Sequence, residues 1–398
     1  MASEGPGRRR RIDAAERRAR LASRHHLAQP ATAVETVAAS LVGLHSSDPA
    51  TVYLAARARM AGFQVGHLEQ ALYEARSLVR VLGMRRTMFV VPPDLAAVIH
   101  ASCTRALGPA ERRRMERLLS EQGIAADAAC WLEEVERRTL TALTVRGQAT
   151  ARELTEEVPE LARKLSFGAG RKWAGTVGVS TRVLFLLATE GRIVRARPRG
   201  SWISSQYRWA PTAAWLAGGL GTLDPEAARA ELLRRWLAAF GPGSMTDLTW
   251  WTGWSGRQVR AALAAVEAIE VELDEGTGFV APDDLEPVSE CASWVVLLPA
   301  LDPTVMGWKE RAWYLGGHQA QLFDRNGNAG PTVWLDGRIA GGWAQRPDGS
   351  VAVELLEDLA PEARARVCAE AERMQAWLGE TVVTPRFRTP LERRLAAR

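Results

Sequence analysis

At 398 residues the chain exceeds what one ordinary core organises, so two to four compact units are expected. Its 47% hydrophobic and 24% charged residues are those of an ordinary soluble globular protein. No apolar run approaches the roughly 20 residues that span a bilayer, the longest being Val183–Ala188 and Trp294–Leu301, so no membrane association is expected.

No apolar stretch follows the N-terminal arginines, which argues against a secretory signal and places the protein in the cytoplasm. Cys103, Cys130, Cys291 and Cys368 are far apart and form no CxxC pair, which predicts buried, reduced thiols rather than a disulfide framework. The histidines form no HExxH or HxH pattern, so no metal and no cofactor is expected. Net charge is only +5, but its distribution is uneven. Between Arg163 and Arg208 there are ten Lys or Arg residues and one acid, Glu190. Arginine and alanine are abundant throughout, as in a bacterial high-GC genome, yet the missing acids still point to a phosphate backbone as partner.

Taken in chain order, residues 1–10 read as a solvated basic arm containing the run Arg8–Arg11, and Ile12–Ala22 as a first helix. Val34, Val37, Ala38, Leu41 and Val42 fall at helical spacing. The segment His45-Ser46-Ser47-Asp48-Pro49 breaks that pattern. Ser47 or Asp48 can cap the next helix, and Pro49 suits its first turn. Helices are predicted at Ala50–Ala61 and Val65–Ala75, then two strands within Leu78–Val91. Three helices followed by a basic hairpin is the order of a winged helix. The order returns with helices at Leu132–Leu143, Thr150–Val158 and Val179–Glu190 and a hairpin at Gly191–Trp209. A third copy begins at Glu226, with helical Leu232–Phe240, Leu248–Trp251 and Gly256–Ala268 and a hairpin at Val271–Val280. Beyond Cys291 short apolar runs alternate with Asp-Pro, Asn-Gly and Asp-Gly turns, the texture of a small β-sheet or barrel. One helix, Pro361–Leu378, follows.

The fold expected is therefore α+β, with tandem winged-helix (helix-turn-helix) units followed by a small C-terminal β-barrel-like domain. The segments are 1-118, 119-222 with a basic wing, 223-288, and 289-398. The strings Gly43-Leu44-His45-Ser46-Ser47-Asp48-Pro49, Phe240-Gly241-Pro242 with Asp247, and Trp250-Trp251-Thr252-Gly253 resemble the AlkZ-like family of winged-helix DNA glycosylases. Leu298-Pro299-Ala300-Leu301-Asp302-Pro303 and Asp324-Arg325-Asn326-Gly327-Asn328 point the same way. The resemblance, from about Ile12 to Glu392, implies a monofunctional DNA glycosylase that excises bulky alkylated purines and unhooks interstrand cross-links. The family's catalytic motif, Gln-hydrophobic-Gln or Gln-hydrophobic-Asp, falls here on His45, Ser46 and Ser47. This sequence departs from it at every position.

Breaking an N-glycosidic bond develops positive charge on the sugar while water attacks C1′. His45 can orient that water and act as a base near neutral pH. Asp48 can stabilise the cation, with Ser47 bridging through water. The bland alternatives are helix capping for Asp48 and Ser47 and a structural hydrogen bond for His45. No serine or cysteine has a triad partner nearby, and Lys164, Lys172 and Lys309 lie outside apolar runs, which disfavours covalent and lyase chemistry. For DNA contact the candidates are Arg171, Lys172, Arg195, Arg197, Arg199 and Arg208, joined from a turn-rich C-terminal loop by Arg325 and Asn326. Trp202, Tyr207 and Trp209 could stack on bases, though core packing under the hairpin is the simpler role for at least two of them. The expected partner is double-stranded DNA, alkylated or cross-linked, bound by a monomer, since no heptads or ligand module indicate a dimeric regulator. A non-catalytic DNA-binding protein on the same scaffold is the alternative.

Overall fold

The computed structural model describes residues 9–168, 170–171 and 174–397. The chain divides into two compact units, Met1–Leu68 with Ala230–Arg398 and Glu69–Arg229. Of the segments expected from sequence, 119-222 lies within the second unit and 289-398 within the first, while 1-118 contributes to both.

In the first unit the helix Ala14–Arg24 is capped by Asp13, whose side chain accepts from the Glu16 N–H. The residues before it are paired along their described length. Residues Arg10–Ile12 run parallel to the strand Ile269–Leu273, with Ile12 N–H donating to the Glu272 carbonyl (2.9 Å) and Glu272 N–H to that of Arg10 (2.8 Å). Arg9 pairs with Glu270, and Arg11 with Glu272 and Asp274. The expected solvated arm is thus corrected from Arg9 onward: an unpaired strand edge supplies its backbone partners and alternating acids its charge partners. Arg8 lies outside the described residues.

That strand belongs to a three-stranded sheet with Gly276–Val280 and Gly243–Ser244. Before it come the helices Met245–Thr252 and Gly256–Ala265, each opened by a serine capping box (Ser244 with Asp247, Ser255 with Gln258). The core is aromatic. Trp236, Phe240, Trp251 and Trp308 meet edge-on, tilted or stacked, and Trp313, Tyr314 and Trp334 extend the cluster. Tryptophan here is mostly core material, as expected.

The C-terminal region is an open antiparallel sheet in the order Val295–Leu298, Thr332–Leu335, Arg338–Gln345, Val351–Leu355. The barrel-like expectation is corrected, because the two outer strands do not pair with each other among the described residues. The helix Pro361–Leu378 packs against both outer strands, so one face is covered without closing the sheet. Gly341 is required where the strands approach: a Cβ there would lie 2.2 Å from the Glu354 carbonyl oxygen. A further helix, Pro390–Ala396, absent from the sequence reading, lies against the strand Arg338–Gln345.

In the second unit the helix Ala128–Arg146 leads to a short strand, Ala149–Thr150, and the helix Ala151–Glu157, opened by a Thr150–Glu153 capping box. Val179–Thr189 is the next helix, followed by the strands Ile193–Pro198 and Tyr207–Pro211. These pair with each other and, through Tyr207–Pro211, with Ala149–Thr150. Val79–Leu82 and Met88–Val91 extend the same sheet on the Ile193–Pro198 side. Features missing from the sequence reading include the helices Pro93–Ile99 and Gly108–Glu121 and the hairpin Lys164–Phe167 with Gly175–Gly178. The longer helix escapes because its polar face dominates, with only Met115 and Leu119 among its buried residues being apolar side chains.

Throughout, the class is mixed helix and sheet. None of the described helices is long and apolar enough to cross a membrane. Cys130, Cys291 and Cys368 are exposed free thiols and Cys103 is half-buried, which corrects the expectation of buried cysteines.

Candidate functional site

The motif turn lies in the first unit. The helix Val34–Ser40 ends when Gly43 N–H returns to the Ala38 carbonyl (2.8 Å), with Gly43 at φ +111°, a conformation that favours glycine. Leu44 and His45 are extended, and Asp48 then caps the nine-residue helix Pro49–Arg57. One Asp48 oxygen accepts from the Ala50 N–H (3.1 Å) and the other from the Arg386 N–H (2.9 Å), 338 positions away. The carboxylate therefore sits at the positive end of a helix and is held from two sides. Burial separates the motif residues. His45 is 5% exposed, Ser46 is fully enclosed, and Asp48 is 6% exposed, while Ser47 is half-buried.

Asp48 forms part of the wall of an apolar pocket made by Leu54, Pro299, Trp343, Val383 and Pro385. The other polar side chains on the wall are Thr51, Gln345 and Glu392. Gln345 is fully engaged, donating to the Gly349 and Thr381 carbonyls (3.1 and 2.9 Å) and accepting from Val383 N–H (2.8 Å). Glu392 is not. Its carboxyl group lies 3.4 Å from the Arg388 guanidinium and accepts from the Thr389 backbone N–H that opens its own helix, while one of its oxygens is buried with no hydrogen-bond partner. Burial, reinforced by the Asp48 charge, outweighs Arg388 and pushes the Glu392 carboxyl up to about 7.

Behind the pocket the helix is fixed by polar groups that the sequence alone presents only as strings. Thr51 donates to the Ala300 carbonyl (2.9 Å). Arg59 and Asp302, both fully buried, form a two-pronged ion pair (2.9 and 2.7 Å). Arg59 also donates to Thr304 (2.8 Å), which contacts His25 Nδ1 at 2.8 Å. Burial holds His25 well below the usual histidine range. Asp247 accepts from the N–H groups of Lys309 and Glu310 (2.7 and 2.8 Å). Phe240 and Trp251 are core.

The DNA-contact candidates are distributed over both units. In the second, Arg195 lies over Tyr207 and Trp209 (5.0 and 5.3 Å to the ring centroids). Arg197 pairs with Glu69 and Glu74 (3.2 and 2.7 Å) and covers Tyr73. Arg199 is exposed, 3.9 Å from Glu153, and Arg208 is half-buried on the neighbouring strand. The one-signed stretch in sequence is thus partly neutralised by acids from Glu69–Glu74 and Glu153. Arg171 is exposed, and Lys172 lies outside the described residues. Tyr207 is buried and Trp209 packs on the core of this unit, while Trp202 is half-buried. In the first unit Arg325 and Asn326 are exposed on a turn organised by Asp324, which accepts from the Asn326 and Asn328 N–H groups (2.8 and 2.9 Å). Burial pushes the Asp324 carboxyl up, but these hydrogen bonds outweigh it and leave it below the ordinary value.

Comparison with known proteins decides the affiliation. The family described as DNA glycosylase AlkZ-like matches residues 38–377, a span that includes the motif turn, Asp247, Asp302 and Asp324. This chain belongs to the AlkZ-like DNA glycosylase family. A solved structure, the DNA glycosylase AlkZ of Streptomyces sahachiroi, is similar in fold with a TM-score of 0.70 and 19% sequence identity, covering 92% of this chain and 97% of that one. No curated protein matches the sequence. Glu392 and the Pro390–Ala396 helix lie beyond the residues that the family match covers.

Proposed function

We propose that this AlkZ-like protein is a monofunctional glycosylase that hydrolyses the N-glycosidic bond of alkylated or cross-linked purines in double-stranded DNA, as a cytoplasmic bacterial monomer. The observation that carries the reading is the Asp48 carboxylate, set in the motif turn of a glycosylase family on the wall of an apolar pocket. A carboxylate fixed by two backbone N–H groups stabilises a developing sugar cation without reorganising. Few waters compete with it there, so its charge acts at reduced dielectric. A purine already carrying positive charge leaves as a neutral base and asks for no acid.

Ser47, half-buried beside it, bridges to the attacking water, and His45 orients the turn from its enclosed position. We read Ala128–Pro211 as a winged helix whose wing, Ile193–Pro211, carries Arg195, Arg197, Arg199 and Arg208, with Arg171 and Lys172 before it. Arg325 and Asn326 add contacts from the first unit. Arg195, Arg199 and Arg208 are the phosphate contacts of choice, since Arg197 already has two carboxylate partners.

The test is release of 7-methylguanine from alkylated duplex DNA by wild type, His45→Ala and Asp48→Asn. The reading expects release by wild type and a loss of at least about tenfold in Asp48→Asn. A second reading, a DNA-binding protein without the chemistry, is favoured by the enclosure of His45 and Ser46 and by the loss of both motif glutamines. Salt-sensitive duplex binding with no release of 7-methylguanine or of a bulkier adduct decides for it.

A further inference from the structure

Two carboxyl groups from opposite ends of the chain face the same pocket, and only one has its oxygens satisfied. Asp48 is held by Ala50 and Arg386 N–H, whereas Glu392, 1% exposed, keeps one oxygen without a hydrogen-bond partner. A buried acceptor left alone costs about 1–3 kcal/mol, so a structural glutamate would be expected to find a partner. The pocket has room for about one water molecule and none for a purine.

We propose that Glu392 is a positioning residue for the hydrolysis, acting beside Asp48: the two carboxyl groups face one water-sized space and together hold the attacking water. The inference rests on the glycosylase reading and adds to it a residue that lies outside the family match.

In the working state Glu392 carries its proton and donates it in a hydrogen bond to the attacking water. The water oxygen bonds to C1′ as the C1′–N bond breaks. The bonding pair leaves with the cationic alkylated purine, which departs neutral, and the proton lost by the water passes to Asp48. The groups facing Glu392 set this balance. Burial and Asp48 favour its protonated form, while Arg388, the Thr389 backbone N–H and Arg393 favour the anion. The remaining wall residues, Pro299, Ala300, Pro331, Trp343 and Gln345 among them, bring no ionisable group. Arg394, on the same helix, is engaged by Glu354 and Gln321. Near neutral pH Glu392 exchanges its proton, and its anion offers the water no donor.

The experiment is single-turnover release of 7-methylguanine from methylated duplex DNA by the full chain between about pH 5.5 and 9, for wild type, Glu392→Gln and Asp48→Asn. Wild type should hold a plateau at the acid end and lose about tenfold as pH rises through about 7. Glu392→Gln, which cannot give up a proton, should lose the decline and show a flat profile across this range, while Asp48→Asn loses at least about tenfold throughout. A wild-type decline retained in Glu392→Gln, or a flat wild-type profile, overturns the role of Glu392 and leaves the glycosylase reading standing. Absence of release by wild type from both methylated and cross-linked duplex overturns both. Infrared difference spectra supply a readout independent of turnover. A protonated-carboxyl band near pH 6 that disappears in Glu392→Gln and shifts in Asp48→Asn is expected, and its absence in wild type removes the protonated Glu392.

Discussion

Glu392→Gln removes a titration while keeping the side chain's shape, and its effect on stability can be worked out from the burial of this one carboxyl. A glutamate of ordinary value 4.5 is pushed up to about 7 in the folded chain, chiefly by burial. Below 4.5 the group is protonated in both the folded and the unfolded state and costs nothing. Between 4.5 and about 7 the unfolded chain releases the proton while the folded chain keeps it, so stability falls as pH rises. Above about 7 the full cost is present. At about 1.4 kcal/mol for each tenfold change in proton affinity, that gap amounts to roughly 3 kcal/mol. Glutamine carries no such cost, though it gives up the contact with Arg388 at 3.4 Å, which offsets part of the gain. Urea unfolding of both proteins at about pH 5, 6, 7 and 8 reads the difference directly. The variant should lie within about 1 kcal/mol of wild type at the acid end and exceed it by about 2–3 kcal/mol at the alkaline end. A difference that is constant with pH, or a variant that is the less stable protein at about pH 8, refutes the reasoning.

Three further outcomes follow from packing and charge. Asp302→Leu leaves Arg59 charged and buried and should cost about 3–5 kcal/mol, while adding Arg59→Met should recover much of that loss in the same urea titration. Gly341→Ala drives a Cβ into the Glu354 carbonyl and should lower the melting temperature by more than about 5 °C, whereas Gly66→Ala, with open space around it, should leave it nearly unchanged. In duplex-binding titrations against salt, Arg195→Ala and Arg208→Ala should each reduce the slope by about 1, and Arg197→Ala by less because Glu69 and Glu74 already neutralise it.

Much of the local structure was legible in the sequence. Asp48-Pro49 announced a helix start because a short acceptor side chain followed by proline satisfies the first turn, and the helix begins there. The hairpin at Val333–Trp343 followed from Asp336-Gly337 between β-branched and aromatic runs. The family strings were also legible, and the structure accounts for several as scaffolding: Asp247 and Asp302 hold backbone and arginine, and Phe240 fills the core. The solvated basic arm and the acid-poor stretch between Arg163 and Arg208 carry less unpaired charge than the sequence suggests, for one reason. The neutralising acids, Glu270, Glu272, Glu69, Glu74 and Glu153, lie elsewhere in the chain.

The candidate site divides along the same line. Its turn, from Gly43 to Pro49, is a local event, set by backbone propensity and capping within a few residues, so the sequence alone determined it. Its pocket is not local. In sequence Glu392 belongs to Thr389-Pro390-Leu391-Glu392, the pattern of a helix start, which points to capping and says nothing of the pocket. Only folding brings it to Asp48 and strips it of water, and burial rather than residue type is what moves its proton affinity into the neutral range. Secondary structure follows from neighbours a few residues apart, whereas charge pairing, burial and the chemistry they permit depend on contacts between residues hundreds of positions apart, which only the tertiary structure decides.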